Sequence, residues 1–134
     1  LRVHSISDIN SALRRVPGVY VRPEDGYGNF PNISLRGIDM GRSSKVTVME
    51  DGILAAPATY TAPSAYYSPT LERMSGLEVI KGSSQVKYGP HTTGGVINYL
   101  STAIPDEVTT FSRTYYGEFD ELVSHIYHTI NLLN

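Results

Sequence analysis

A chain of 134 residues can hold one domain with its own core, and with no cysteine it has neither a disulfide framework nor a thiolate metal site. Its net charge of −2 and eleven scattered Lys and Arg exclude the clustered basic face that a phosphate backbone needs, so no nucleic-acid partner is expected. Twelve glycines, eight prolines and ten tyrosines point to short strands and turns rather than a helical bundle.

The opening segment reads as a short amphipathic helix. Ser5 or Ser7 is placed to cap it, and Ile9, Ala12, Leu13 and Val16 form one apolar stripe at helical spacing. Pro17-Gly18 ends it, because the residue before proline avoids helix and glycine permits a sharp reversal. Val19-Tyr20-Val21 is extended. Pro23 to Asn32, dense in Pro, Gly, Asp and Asn, reads as an irregular exposed loop. Strand character returns at Ile33 to Arg36 and breaks at Gly37.

Lys45 to Met49 is the next strand, and Asp51-Gly52 is a strong hairpin-turn signal that sends Ile53-Leu54 back along it. Ala55 to Tyr67 has no charge and no period, and is rich in Ala, Pro, Thr and Tyr. Ser68 as cap and Pro69 at the first helical position predict a short helix through Leu71 to Met74, closed by Gly76. Leu77 to Lys81 is a strand, Gly82-Ser83-Ser84 opens a helical turn through Tyr88, and Gly94-Gly95 leads into the strand Val96 to Leu100. After Pro105 the pattern changes. Val108 to Tyr116 and Leu122 to Ile130 are longer extended runs with a loose alternation, joined by the turn Gly117-Glu118-Phe119-Asp120.

Few constellations suggest chemistry. His125 and His128 lie three apart, which on a strand sends their imidazoles to opposite faces, so no metal site is expected. Ser84, Lys87 and His91 lack a third orienting group and a nucleophile elbow, so hydroxyl caps are the simpler reading and no catalytic residue is assigned. Glycines 82, 89, 94 and 95 have neither the phosphate-loop nor the dinucleotide spacing. The Ala55 to Tyr67 stretch has two open readings: a loop packed on its neighbours, or a stiff aromatic binding surface built on Tyr60, Tyr66 and Tyr67.

Four phrases in order resemble the plug of TonB-dependent outer-membrane receptors. They are Ala12-Leu13-Arg14-Arg15-Val16-Pro17-Gly18-Val19, Ile33-Ser34-Leu35-Arg36-Gly37, Val48-Met49-Glu50-Asp51-Gly52-Ile53, and Leu77 to Gly82 continuing through Val86-Lys87-Tyr88-Gly89 to Gly94-Gly95-Val96-Ile97-Asn98. Within that family the chain is most similar to the ferric-citrate transporter group, through Asp51 to Pro63, Tyr88-Gly89-Pro90 and Ala103-Ile104-Pro105. The resemblance implies an α+β fold: a short mixed β-sheet with small helices over residues 1–105. Residues 106–134 would then be the first hairpin of a transmembrane β-barrel.

It further implies a Gram-negative outer-membrane location, a ferric chelate as ligand, and TonB and the remainder of the barrel as partners. Neither enzyme activity nor a protein-bound cofactor is expected. Arg36 matches an arginine that helps hold citrate carboxylates in that group, a task suited to a bidentate guanidinium. The alternative for Arg36 is an internal salt bridge to Glu78 or a similar carboxylate. A glutamine of the group's ligand loop falls on Ala62, so another siderophore presented to Arg42, Tyr60 and Tyr66 is equally compatible. With no TonB-coupling segment recognised ahead of the helix and most of a barrel missing, the sequence is expected to be a transporter fragment. A stand-alone soluble chelate-binding module and a non-functional remnant are the alternatives.

Overall fold

The computed structural model describes residues 9–26, 30–38, 41–55, 67–89, 92–117 and 122–130, with the side chain of Arg42 also outside the description. The chain divides into two units, Leu1–Thr102 and Ala103–Asn134.

In the first unit, helix α1 (Ile9–Arg14) buries Ile9, Ala12 and Leu13, the stripe set by the sequence spacing. The proposed caps Ser5 and Ser7 lie outside the described residues. The chain reverses at Gly18, whose φ is 75°, and enters β1 (Val19–Pro23). Strand β2 (Pro31–Leu35) pairs antiparallel with β1, from Val19↔Leu35 to Pro23↔Pro31.

Pro31 and Asn32 are therefore strand residues, which corrects the loop expected through Asn32. They are buried because polar groups satisfy each other there. Asn32 Nδ2 donates to Glu24 (2.8 Å), and its carbonyl accepts from Ser43 N (3.1 Å). Arg36 likewise falls outside the strand, at φ 55°.

A four-stranded mixed sheet forms the centre, in the order β4-β3-β6-β5. Strand β3 (Val46–Glu50) runs parallel to β6 (Gly95–Ser101), while β4 (Ile53–Leu54) and β5 (Met74–Ile80) are antiparallel edges. The inner strands are buried from Val46 to Met49 and from Gly95 to Tyr99, as strands covered on both faces must be. Val46, Val48, Ile97 and Tyr99 join Ile9, Leu13, Val19, Ile33, Leu35 and Met74 in one core.

The Asp51-Gly52 hairpin forms as the sequence requires. Both turn residues have positive φ (49° and 81°) and Glu50 pairs with Ile53, a two-residue turn matched to strand twist. Gly95 is needed for a different reason. A Cβ there would lie 2.9 Å from Ile80 O and 3.0 Å from Leu35 Cδ1, with φ at 143°.

Two expectations around residues 68–76 change. The helix is a 3-10 turn at Leu71–Arg73, preceded by Thr70 with no side-chain cap, so Ser68 and Pro69 lie outside it. Met74 already begins β5, and Gly76 sits inside that strand next to a bulge rather than closing a helix. Its missing side chain leaves room for Leu100, whose Cδ1 would be 3.2 Å from a Cβ at Gly76. The turn at Ser83–Tyr88 is also a 3-10 helix, flanked by Gly82 and Gly89.

The second unit is an antiparallel pair, β7 (Thr109–Tyr116) with β8 (Leu122–Thr129), in register from Thr109↔Thr129 to Tyr116↔Leu122. Exposure alternates along both strands. Leu122, Ser124, Ile126 and His128 form one face, and Val123, His125 and Tyr127 the other. The two histidines thus diverge. His128 Nδ1 is 2.7 Å from the Thr110 hydroxyl, whereas His125 packs beside Phe111 and Tyr127.

Candidate functional site

The central sheet of the first unit has two chemically different ends. At the end where β3 and β6 finish, the Asp51-Gly52 turn presents two carboxylates. Glu50 accepts from both amino groups of the Arg73 guanidinium, with Nη2 at 2.9 Å, and also from the hydroxyl of Tyr67. Arg73 Nη2 reaches the Tyr67 oxygen as well (3.2 Å), so three side chains from β3, the 67–70 segment and the 3-10 turn close one knot.

Charge-assisted bidentate pairing is the strong form of this contact. The hydrogen bond from Arg73, seconded by that from Tyr67, holds the Glu50 carboxyl below its ordinary value of 4.5. Burial, then the bond to Glu50, pushes the Tyr67 phenol above 10.0. Asp51 is held in turn by the Ser101 hydroxyl (2.6 Å) and the Ser101 N–H (2.9 Å), which lower its pKa in that order.

Backbone bonds complete the knot. Thr102 N donates to Arg73 O (3.0 Å), and Gly52 N donates to the Asn98 side chain (2.9 Å). Beside it lies a shallow, open depression of about 350 Å³ lined by Glu50, Asp51, Ile53, Leu54, Ala55 and Tyr67.

At the other end, Gly95 and Ile80 mark the start of β6 and the finish of β5. Lys81 Nζ donates to Pro17 O (2.7 Å) and Arg36 N donates to Gly18 O (2.8 Å), which ties the chain after α1 to this end. Arg36 itself is exposed. Among the described residues no ion pair joins it to Glu78, whose carboxylate accepts from Asn98 Nδ2 at 2.9 Å instead.

Of the five residues singled out from the sequence, the structure positions two side chains, Arg36 and Tyr67, and it separates them. The paired stretch from Val46↔Gly95 to Glu50↔Tyr99 lies between their ends, about 13 Å at 3.3 Å per residue. Arg42 belongs to the 3-10 turn Gly41–Ser43, whose Ser43 hydroxyl accepts from Ile33 N (2.7 Å) and so holds the turn against β2. Tyr60 and Tyr66 lie outside the described residues. The Glu50–Arg73 pair is the feature that the sequence did not disclose. Its partners are 23 positions apart, and only the pairing of β3, β5 and β6 brings them together.

A mixed sheet of this order with small helices, followed by a hairpin, agrees with the family model described as the TonB-dependent receptor plug domain, which matches residues 1–96. The chain belongs to that family. Among solved structures, the plug is similar to the ferric citrate transporter FecA in its unliganded form, at 32% identity and a TM-score of 0.68 over 78% of this chain. It also matches the ferric enterobactin receptor PfeA (18% identity, TM-score 0.60, 92% of the chain). The siderophore receptor PirA from Acinetobacter baumannii is a further match (19%, 0.54, 91%). These two likenesses show the fold alone. The chain spans 16% of FecA, 20% of PfeA and 19% of PirA, so it corresponds to a minor part of each receptor's length.

Proposed function

We propose that the chain is the plug of a TonB-dependent outer-membrane transporter that imports a ferric chelate in a Gram-negative cell, closing the barrel and contributing to ligand binding. The observation that carries this reading is the family match over residues 1–96, joined to 32% identity with a ferric citrate transporter. In this reading residues 1–105 form the plug. Residues 106–134, with their alternating faces, begin a barrel of the large, plugged kind with about 22 strands. TonB acts on the plug from the periplasmic side, and iron stays inside its chelator, so no protein-bound cofactor is needed.

Arg36, Arg42, Tyr60, Tyr66 and Tyr67 are the proposed ligand-contacting set. The exposed Arg36 guanidinium can pair with ligand carboxylates, and Tyr67 lines the depression beside the turn. Radiolabelled iron uptake tests the reading in cells deleted for their own receptor and supplied with the complete receptor containing this plug. Uptake of a ferric chelate that depends on TonB is the expected outcome. Binding and uptake absent for every chelate tested would sink it.

A further inference from the structure

The depression beside the Asp51-Gly52 turn says which kind of chelate this plug suits. We infer that it is a subsite for the neutral, apolar-bodied part of a ferric chelate, and that it disfavours a polycarboxylate. The inference rests on the transporter reading above and assigns its ligand class.

Three observations carry it. The first is the charge. Glu50 and Asp51 line the depression, and its described lining contains no Lys or Arg. The adjacent cation, Arg73, has both amino groups on Glu50, so one net negative charge is left and no guanidinium is offered to a ligand carboxylate. Asp51 is held in place by Ser101, so its charge stays at the turn.

The second is the apolar wall. Ile53 is 73% exposed and Leu54 39% exposed on a two-residue edge strand, with Ala55 following. These side chains offer a ligand an aliphatic wall beside the polar rim of Glu50 and Asp51. The third is Tyr67. Its hydroxyl donates to Glu50, so what it adds to the depression is the ring rather than a donor for a ligand oxygen.

An iron(III) centre held by three monoanionic bidentate oxygen donors, the hydroxamate type, is neutral overall. Such a complex meets no like-charge penalty beside Glu50 and Asp51 and can bury its hydrocarbon backbone on Ile53 and Leu54. A ferric citrate complex retains ionised carboxylates, which meet Glu50 and Asp51 with no free cation among the described lining residues. Arg36 cannot answer for them here, since it stands at the far end of the sheet.

The test uses the complete receptor in outer-membrane vesicles, with equilibrium binding of a neutral ferric trihydroxamate and of ferric dicitrate. Binding of the trihydroxamate at least tenfold tighter is expected. Ile53→Glu should weaken it at least tenfold with the melting temperature unchanged, because the side chain is exposed. Glu50→Gln, which frees Arg73, should tighten ferric dicitrate severalfold and so narrow the preference for the trihydroxamate. Tighter binding of ferric dicitrate by the native receptor, or no response to Ile53→Glu, overturns the subsite while leaving the transporter reading intact. If neither these two nor any other ferric chelate binds, the transporter reading and the subsite fall together.

Discussion

The central sheet and the β7–β8 pair are built from strands of similar composition, yet they treat water in opposite ways. Strands β3 and β6 bury nearly every residue on both faces, whereas no residue of β7 or β8 is fully buried and exposure alternates along each. Val, Ile, Thr and Tyr suit either setting, so composition does not decide it. What differs is company. The inner strands have neighbours on both edges and α1 and β2 contribute to their core, while among the described residues each strand of the second unit has one partner. The first unit thus carries its own core. The second is a two-stranded pair whose described residues bury no core of their own.

That contrast can be broken most directly by truncating Ile97 to Ala. The side chain is fully buried in the core, so a loss of about 2–5 kcal/mol is expected, read as a drop in the urea midpoint of the first unit. A loss below about 0.5 kcal/mol would mean that the unit is not packed as described.

Next in size is the Glu50 knot. Arg73→Ala should cost about 1 kcal/mol, the scale of an exposed but bidentate pair. It also has a pH signature. Glu50 has a lowered folded pKa, so its contribution is present above the unfolded value of 4.5 and is lost as pH falls through the folded value. Tyr67 has a raised one, so its contribution is present below 10.0 and is lost as pH rises through the folded value. Thermal melts across pH should therefore show both shoulders; Glu50→Gln should abolish the acid one and only reduce the alkaline one, since burial is the larger cause at Tyr67. An acid shoulder that persists in Glu50→Gln would assign it to another group.

The smallest effect is expected at Ile126. It is 66% exposed on β8, so Ile126→Ala should change stability in water by no more than about 0.5 kcal/mol, in contrast to Ile97→Ala. A large loss at Ile126 would show that the second unit buries this face in solution.

Much of the fold was legible in local chemistry. The α1 stripe, the Gly18 reversal and the Asp51-Gly52 turn each follow from a few adjacent residues, and each forms as read. The misreadings came where distant groups overrule local signals. Pro31 and Asn32 look like loop residues until Ser43 and Glu24 satisfy the asparagine, and Pro31 is tolerated because, among the described residues, β2 pairs only with β1. Gly76 resembles a helix stop until Leu100 is seen to need its space. At the candidate site the turn was visible, but the coupling of Glu50, Tyr67 and Arg73 was not. No local rule pairs side chains across a mixed sheet, and the same sheet separates Arg36 from Tyr67.

The parallel pairing of β3 with β6 also fixes the order of events when the chain acquires its shape. Val46 finds its partner Gly95 only about fifty positions later, a long loop to close before any contact rewards it. Until Ser101 has emerged, the Asp51 carboxylate lacks its partner, the Gly52 N–H lacks Asn98, and the core lacks its central strand. The core of the first unit thus waits on this long-range pairing. A polypeptide of that kind completes its core only once β6 is in hand.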